Sequence, residues 1–450
     1  MVDASEPALE EGDPGRGGGR SRLPLVALIV VVLVFVAFAA AVAINTQPWQ
    51  GADEPGHFEN IETLVSGHWY GFDPNCRTSS TTGVQDAFLA CTGLESHQAP
   101  LYYLLMAGWQ RVLGIPPHTL PKSWAALTSA HAILRDRGLL LWLRFGNIAL
   151  GALTVVVSYL AARLATRDRW TPVIAAAVVA FLPQFLIHAA YVTNDNLVNL
   201  LGAVLTYCGL QFVRCKTSAW MIACGVTFGL MLTTKLSTIP MGLVLVALVV
   251  VVSDVSRRRR VLLLVTGAGS ALAVSIGYLI SNWVRYGDPL ASRESSAYLV
   301  HVSGLGTGVN VPYVVTDPAR LVFYDVGRKL IATFWYNSWW GEVSWPMPIN
   351  LLITCGVIAV LLGLLGQSLS RRPLALLGVI AVLSFACVWV VAFQTASYSA
   401  RLALVGLSAM GVLVALALQR WSLAVRWLLP LAELTGVFVA LRYDILGTHW

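Results

Sequence analysis

The chain has 450 residues, of which 57% are hydrophobic and 12% charged, with a mean hydropathy of +0.70, whereas soluble domains carry about 25% charged residues. The apolar excess comes in repeated runs of about 18 to 23 residues, each long enough to cross a hydrocarbon layer about 30 Å thick, which excludes a water-soluble globule and implies an all-α, polytopic transmembrane protein. The formal charge of +7 sits beside these runs rather than among aromatics on a soluble face, so it argues against nucleic acid as a partner and reports topology instead.

Residues 1–22 are rich in Gly, Pro, Glu and Arg, have almost nothing to bury, and are expected to form a disordered cytoplasmic tail. The run from Leu23 to Ile44 is longer than a signal-peptide core and is followed by Asn45-Thr46-Gln47-Pro48-Trp49 rather than a small-residue cleavage site, so it reads as an uncleaved span. Counting onward gives about eleven spans, near 23–45, 142–164, 171–190, 196–213, 217–234, 237–253, 261–283, 348–369, 374–393, 400–419 and 426–442. If every one crosses, Arg16/Arg20/Arg22, Arg163/Arg167/Arg169, Arg214/Lys216, Arg257 to Arg260, Arg371/Arg372 and Arg420/Arg426 share a side. The positive-inside rule makes that side the cytoplasm.

Two long loops, 46–141 and 284–347, then lie outside the cytoplasm and hold most of the polar chemistry of the 23–450 membrane domain. The first contains Pro100 to Leu113, too short to span comfortably and carrying Trp109, Gln110 and Arg111, which suits an amphipathic helix at the membrane surface. The second mixes Trp335, Trp339 and Trp340 with Arg320, Arg328 and Lys329, a composition for interface anchoring or for stacking on a sugar. Of the acids between Asp53 and Glu342, only Asp168 and Asp254 are expected inside, and Glu433 alone falls within a span. Ion-coupled transporters concentrate such groups near the bilayer midplane, and this chain does not.

The sharpest local pattern is Gly51-Ala52-Asp53-Glu54-Pro55-Gly56-His57-Phe58, a few residues outside the first span. A helix beginning near Pro55 sets both carboxylates at its N-terminal edge, where backbone N–H groups stabilise anions. The structural alternative is that Asp53 caps this helix while Glu54, Glu59 and Glu62 form a solvated face. Lys235 and Arg401 stand at the outer ends of spans, where they can meet a phosphate or simply reach lipid headgroups. His188 and Asp195 flank the outer ends of the third and fourth spans, either lining a cavity or, for Asn194-Asp195, capping a helix. Cys76 and Cys91 enclose a Ser/Thr-rich stretch of the first loop and are expected to pair as a disulfide in an oxidising compartment, the alternative being two free thiols. The other cysteines are isolated in apolar runs and read as small packing residues.

Asp53-Glu54 just outside the first span, followed by His57-Phe58, resembles the signature of GT-C superfamily membrane glycosyltransferases, among them protein O-mannosyltransferases and bacterial aminoarabinose transferases. Ser96-His97-Gln98-Ala99-Pro100-Leu101-Tyr102-Tyr103, Thr193-Asn194-Asp195-Asn196 and Gln394 to Arg401 are similar to further elements of bacterial members. The resemblance implies a glycosyltransferase that moves a sugar, with inversion, from a polyprenyl-phosphate donor to an extracytoplasmic cell-envelope glycan, lipid or protein. Asp53 would be the general base and Glu54 its catalytic neighbour. His57, His97, Tyr102, Asp195, Lys235 and Arg401 would contact substrate, with membrane lipids around them. No cofactor is expected, although Asp53, His57 and His97 have the chemistry to hold a divalent metal. A transporter or flippase of lipid-linked glycans, or a non-catalytic assembly subunit on the same scaffold, are the competing readings.

Overall fold

The computed structural model describes residues 22–51, 53–71, 95–120, 126, 128–251, 254–291, 317–338, 343–367, 369–394 and 399–442. Among them the chain is helical nearly throughout, and its strands are one short ladder pairing Asn337–Ser338 (β1) with Val343–Ser344 (β2). In order come α1 (Leu23–Asn45), α2 (Glu54–Val65), α3 (Leu101–Val112), α4 (Ala130–Ala165), α5 (Thr171–Phe181), α6 (Pro183–Ala189), α7 (Asp195–Cys215) and α8 (Ser218–Leu232). A 3-10 segment, Leu236–Gly242, leads into α9 (Leu243–Val251), followed by α10 (Arg257–Tyr286), α11 (Val326–Phe334), α12 (Met347–Leu362) and α13 (Arg371–Gln394). A second 3-10 segment, Ala400–Gly406, opens α14 (Leu407–Leu418), and α15 (Leu428–Ala440) closes the described chain.

All eleven expected apolar runs coincide with helical structure. Among the described residues eight helices are long and apolar enough to cross a membrane and the bent pair α5–α6 makes a ninth, while α8 and the segment through α9 are shorter apolar helices. In α1 the buried positions Leu28, Val31, Phe35, Ala39 and Val42 recur every three or four residues and face the bundle, while Leu25, Val26, Ile29, Val30 and Leu33 point outward. Outward apolar side chains of this kind need a hydrocarbon solvent.

Two glycines set the approach of the helices that carry the site. A Cβ on Gly202 of α7 would stand 1.9 Å from the Val405 carbonyl oxygen, and one on Gly225 of α8 would stand 2.1 Å from that of Gly267. Small residues at such crossings let backbones meet closely, the main packing device where lipid is the solvent. The third span breaks at Leu182–Pro183, with α5 and α6 bent 65° apart, because proline cannot donate the helical hydrogen bond. The Gln184 N–H freed there donates to the Trp335 carbonyl at 3.0 Å, as irregular backbone at membrane depth requires.

The loops assigned by sequence to the cytoplasm converge at one end of the bundle. Arg426 pairs there with Asp168, Asp254 receives Lys216 and, at 3.3 Å, Arg372, and Thr166 donates to Gln419 at 3.0 Å. The opposite end gathers α2, α3, the starts of α7 and α14, and the turn after α8.

Candidate functional site

The opposite end is built around α2. Pro55 occupies its first turn, and Asp53 immediately before it adopts the left-handed conformation at φ 61°, a strained choice for a non-glycine residue. Asp53 makes no capping bond with its side chain; the carboxylate turns instead to Arg401. What holds this turn is the next residue. Glu54 is fully buried and takes both of its oxygens to Arg144 of α4, from Nε at 2.8 Å and Nη2 at 2.7 Å. Arg144 also donates to the carbonyls of Ala43 and Thr46 at 2.8 Å and of Gln47 at 3.1 Å, while the Val192 N–H donates to Glu54 at 3.2 Å. The Glu54 carboxylate is thus consumed in fastening α1, α2, α4 and the end of α6 together, and Asp53 is presented by that fastening.

Four charged side chains meet beside it in alternating order. Asp53 pairs with Arg401, Arg401 Nε lies 3.4 Å from Asp195, and Lys235 Nζ donates to Asp195 at 2.5 Å and to Asn194 at 3.2 Å. Two carboxylates face two cations, so the cluster is neutral without a substrate. Asn194 and Asp195 lie at the start of α7 but make no capping bond with it; their side chains serve Lys235. Asp195 and Lys235 are almost fully covered, whereas the Arg401 and Asp53 side chains are 18% and 19% exposed, which makes that pair the accessible edge of the cluster.

A second layer covers Asp53. His57 sits one turn along α2 and its Nδ1 meets the Tyr103 hydroxyl at 2.8 Å. Burial, reinforced by the charge of Lys235, drives the His57 pKa down to about 3, and burial with Lys235 drives His97 to about 4, so both rings are neutral at physiological pH. Burial, followed by the charge of Asp53, pushes Glu95 up to about 8, so it carries a proton at neutral pH. Burial pushes Asp53 the same way, but the adjoining Arg401 outweighs it and holds the carboxyl below its ordinary value. Asp53 is therefore ionised while Glu95 is not.

Tyr102 is fully buried and its hydroxyl donates to Asn147 Oδ1 at 3.0 Å, an oxygen that also receives Asn196 Nδ2 at 2.9 Å. It braces α3 against α4 and α7 and does not open to the cluster. His97 borders a cavity of about 530 Å³ with Gln98, Trp69, Tyr70, Asn282, Arg285 and, on its apolar side, Leu104, Leu230 and Gly277. Gln98 accepts from Asn194 at 3.2 Å and the Leu101 N–H donates to the Thr233 carbonyl at 2.8 Å, so the polar wall of the cavity backs onto the turn that carries Lys235. Cys76, Cys91, Trp339 and Trp340 lie outside the described residues.

For a metal, Asp53, His57 and Glu95 each bring a ligand atom within 4.8 Å of the others, a mixed oxygen and nitrogen set of the kind that divalent zinc and manganese accept. The donors fit, with Glu95 rather than His97 as the third. Glu95 and Arg144 are the two residues that the sequence did not mark. Arg144 carried a signal, since an arginine two residues into an apolar run requires a buried partner; Glu95, in a polar loop, carried none.

Residues 96–280 match the family described as dolichyl-phosphate-mannose-protein mannosyltransferase. No curated protein matches the chain. Among solved structures, it is similar to ArnT from Cupriavidus metallidurans bound to undecaprenyl phosphate, with a TM-score of 0.54 and 18% identity over 93% of this chain and 64% of that one. It is also similar to the apo oligosaccharyltransferase of Archaeoglobus fulgidus, with a TM-score of 0.56 and 15% identity over 96% of this chain and 57% of that one. The chain thus spans less than two thirds of the length of either. The architecture of its described residues, helical nearly throughout, is the GT-C fold.

Proposed function

We propose that this protein is a membrane glycosyltransferase that moves a sugar from a polyprenyl-phosphate carrier to an acceptor on the extracytoplasmic side, with the N-terminus in the cytoplasm. The observation that carries the reading is the neutral Asp53–Arg401–Asp195–Lys235 cluster at one end of a GT-C bundle, with Asp53 at its accessible edge. The family match over 96–280 and the undecaprenyl phosphate bound by the ArnT relative support a lipid-phosphate donor.

The acceptor hydroxyl oxygen attacks the anomeric carbon as the bond from that carbon to the phosphate oxygen breaks, with inversion. The hydroxyl proton passes to Asp53, whose ionised carboxylate is ready at neutral pH. The departing polyprenyl phosphate gains negative charge, which Arg401 and Lys235 meet. Arg401 is shared between Asp53 and the phosphate, so donor binding loosens its hold on the base. Glu54, through Arg144, positions Asp53 rather than touching substrate. A divalent cation, when held by Asp53, His57 and Glu95, would add positive charge for the phosphate. The cavity beside His97, with its apolar wall on α3, α8 and α10, suits the isoprenoid chain.

Transport by flipping is the less favoured reading, because of the three buried acids in the described spans Asp136 and Asp195 stand at the ends of theirs and Glu433 alone lies well inside one. The experiment is transfer by the purified protein from labelled polyprenyl-phosphate sugars, with outward placement checked by labelling a cysteine introduced at Gly67 with a membrane-impermeant reagent. Labelling only after permeabilisation would reverse the topology.

A further inference from the structure

Beside the charged cluster lies a set of polar groups that the proposed chemistry leaves unused. His188 ends α6, the short helix beyond the break in the third span, and its carbonyl accepts at 3.1 Å from Asn196, the residue that follows Asp195 of the cluster. Its Nδ1 meets the Gln184 carbonyl at 3.0 Å. A carbonyl only accepts, so Nδ1 bears the proton and Nε2 presents a lone pair. Among the described residues no group bonds to that lone pair.

Gln184 stands four residues earlier, on the same face of α6. It is fully buried, and neither its amide oxygen nor its amide nitrogen has a hydrogen-bond partner. Buried polar groups in folded proteins are almost always paired, so an orphaned amide marks a place where something is absent. Asn337 of β1, two residues after Trp335, whose carbonyl binds the Gln184 N–H, carries another buried unpaired oxygen. The helix itself is rigidly held, since Asn196 Nδ2 donates to the carbonyls of His188 and Tyr191 at 3.1 Å. The open groups are thus mainly acceptors, set beside a cluster whose charges already cancel.

We propose that His188, backed by Gln184, is the hydroxyl-recognition subsite for the sugar of the donor. The assignment rests on the donor reading given above. Hydroxyl groups donate to Nε2 and to the amide oxygen and accept from the amide nitrogen, which completes the valences left open.

The test compares two ligands on the full chain in lipid nanodiscs: a short-chain polyprenyl phosphate, and its mannosyl and arabinosyl phosphodiesters. Wild type binds at least one phosphodiester more tightly than the bare lipid phosphate. His188→Leu lowers that ratio of affinities about fivefold, the worth of one neutral hydrogen bond, and leaves the affinity for the bare phosphate unchanged. His188→Gln, which retains an acceptor, recovers part of the ratio, and Gln184→Leu lowers it independently. Equal weakening of both ligands would make these residues structural and overturn the proposal, as would an unchanged ratio in both leucine variants. Failure of wild type to bind the bare lipid phosphate would refute the donor reading itself and take this subsite with it.

Discussion

Replacing Arg144 with methionine tests how Asp53 is held. The substitution preserves an unbranched apolar stem but removes the guanidinium that serves both Glu54 oxygens and three backbone carbonyls. Breaking a buried ion pair from one side costs about 3–5 kcal/mol, because the surviving charge stays desolvated, and each orphaned carbonyl adds on the order of 1 kcal/mol where water cannot replace the donor. Arg144→Met should therefore be among the most destabilising single changes in the chain, read as a loss of thermal stability in detergent by fluorescence-monitored unfolding. Glu54→Gln keeps an acceptor and should cost less. The double variant Arg144→Met/Glu54→Leu should recover a large part of the loss, since it leaves no buried charge unpaired. A single Arg144→Met variant within about 1 kcal/mol of wild type, below the cost of any buried broken pair, would refute the fastening role.

Gly202→Ala should destabilise the protein by about 1–3 kcal/mol or prevent folding, because the new methyl meets the Val405 carbonyl at 1.9 Å; normal stability would contradict the close crossing of α7 and α14. Burial raises Glu62 to about 7, above its unfolded value, so the stability it contributes is fully present below the unfolded pKa and is lost as pH rises through 7. Glu62→Gln should accordingly unfold at a higher temperature than wild type at pH 8, with the gap closing by pH 5, and an unchanged gap would sink the assignment. Asp195→Asn removes one acid from the neutral cluster and should tighten binding of bare polyprenyl phosphate while lowering turnover; weaker phosphate binding would show that Lys235 and Arg401 do not face the donor.

Much of this was legible in one dimension because the relevant signals are local. The hydropathy runs define the spans and Asp53 stands out by its distance from α1, whereas the break at Pro183 went unread inside the single run 171–190. Lys235 and Arg401 were legible as cations at span ends, but their mutual link through Asp195 was not, since it joins residues 40 and more apart across three elements. The same limit applies to Glu54. Sequence placed it beside Asp53 as a neighbour that could orient the base, but not against the arginine 90 residues away that the fold supplies. Glu95 had no local mark at all, because its raised pKa arises from burial and from Asp53, both of them properties of the folded chain. The expected helix at Pro55 is present, yet the capping role open to Asp53 is not taken, because Arg401 offers the carboxylate a full charge.

The most direct measurement is single-turnover sugar transfer from a polyprenyl-phosphate donor to exported acceptors by wild type and Asp53→Asn, both matched for folding and for affinity toward the bare lipid phosphate. The proposed chemistry predicts a fall of about 10²- to 10⁴-fold in the rate, the range for loss of a general base, with donor binding retained. Transfer by Asp53→Asn at the wild-type rate would contradict it.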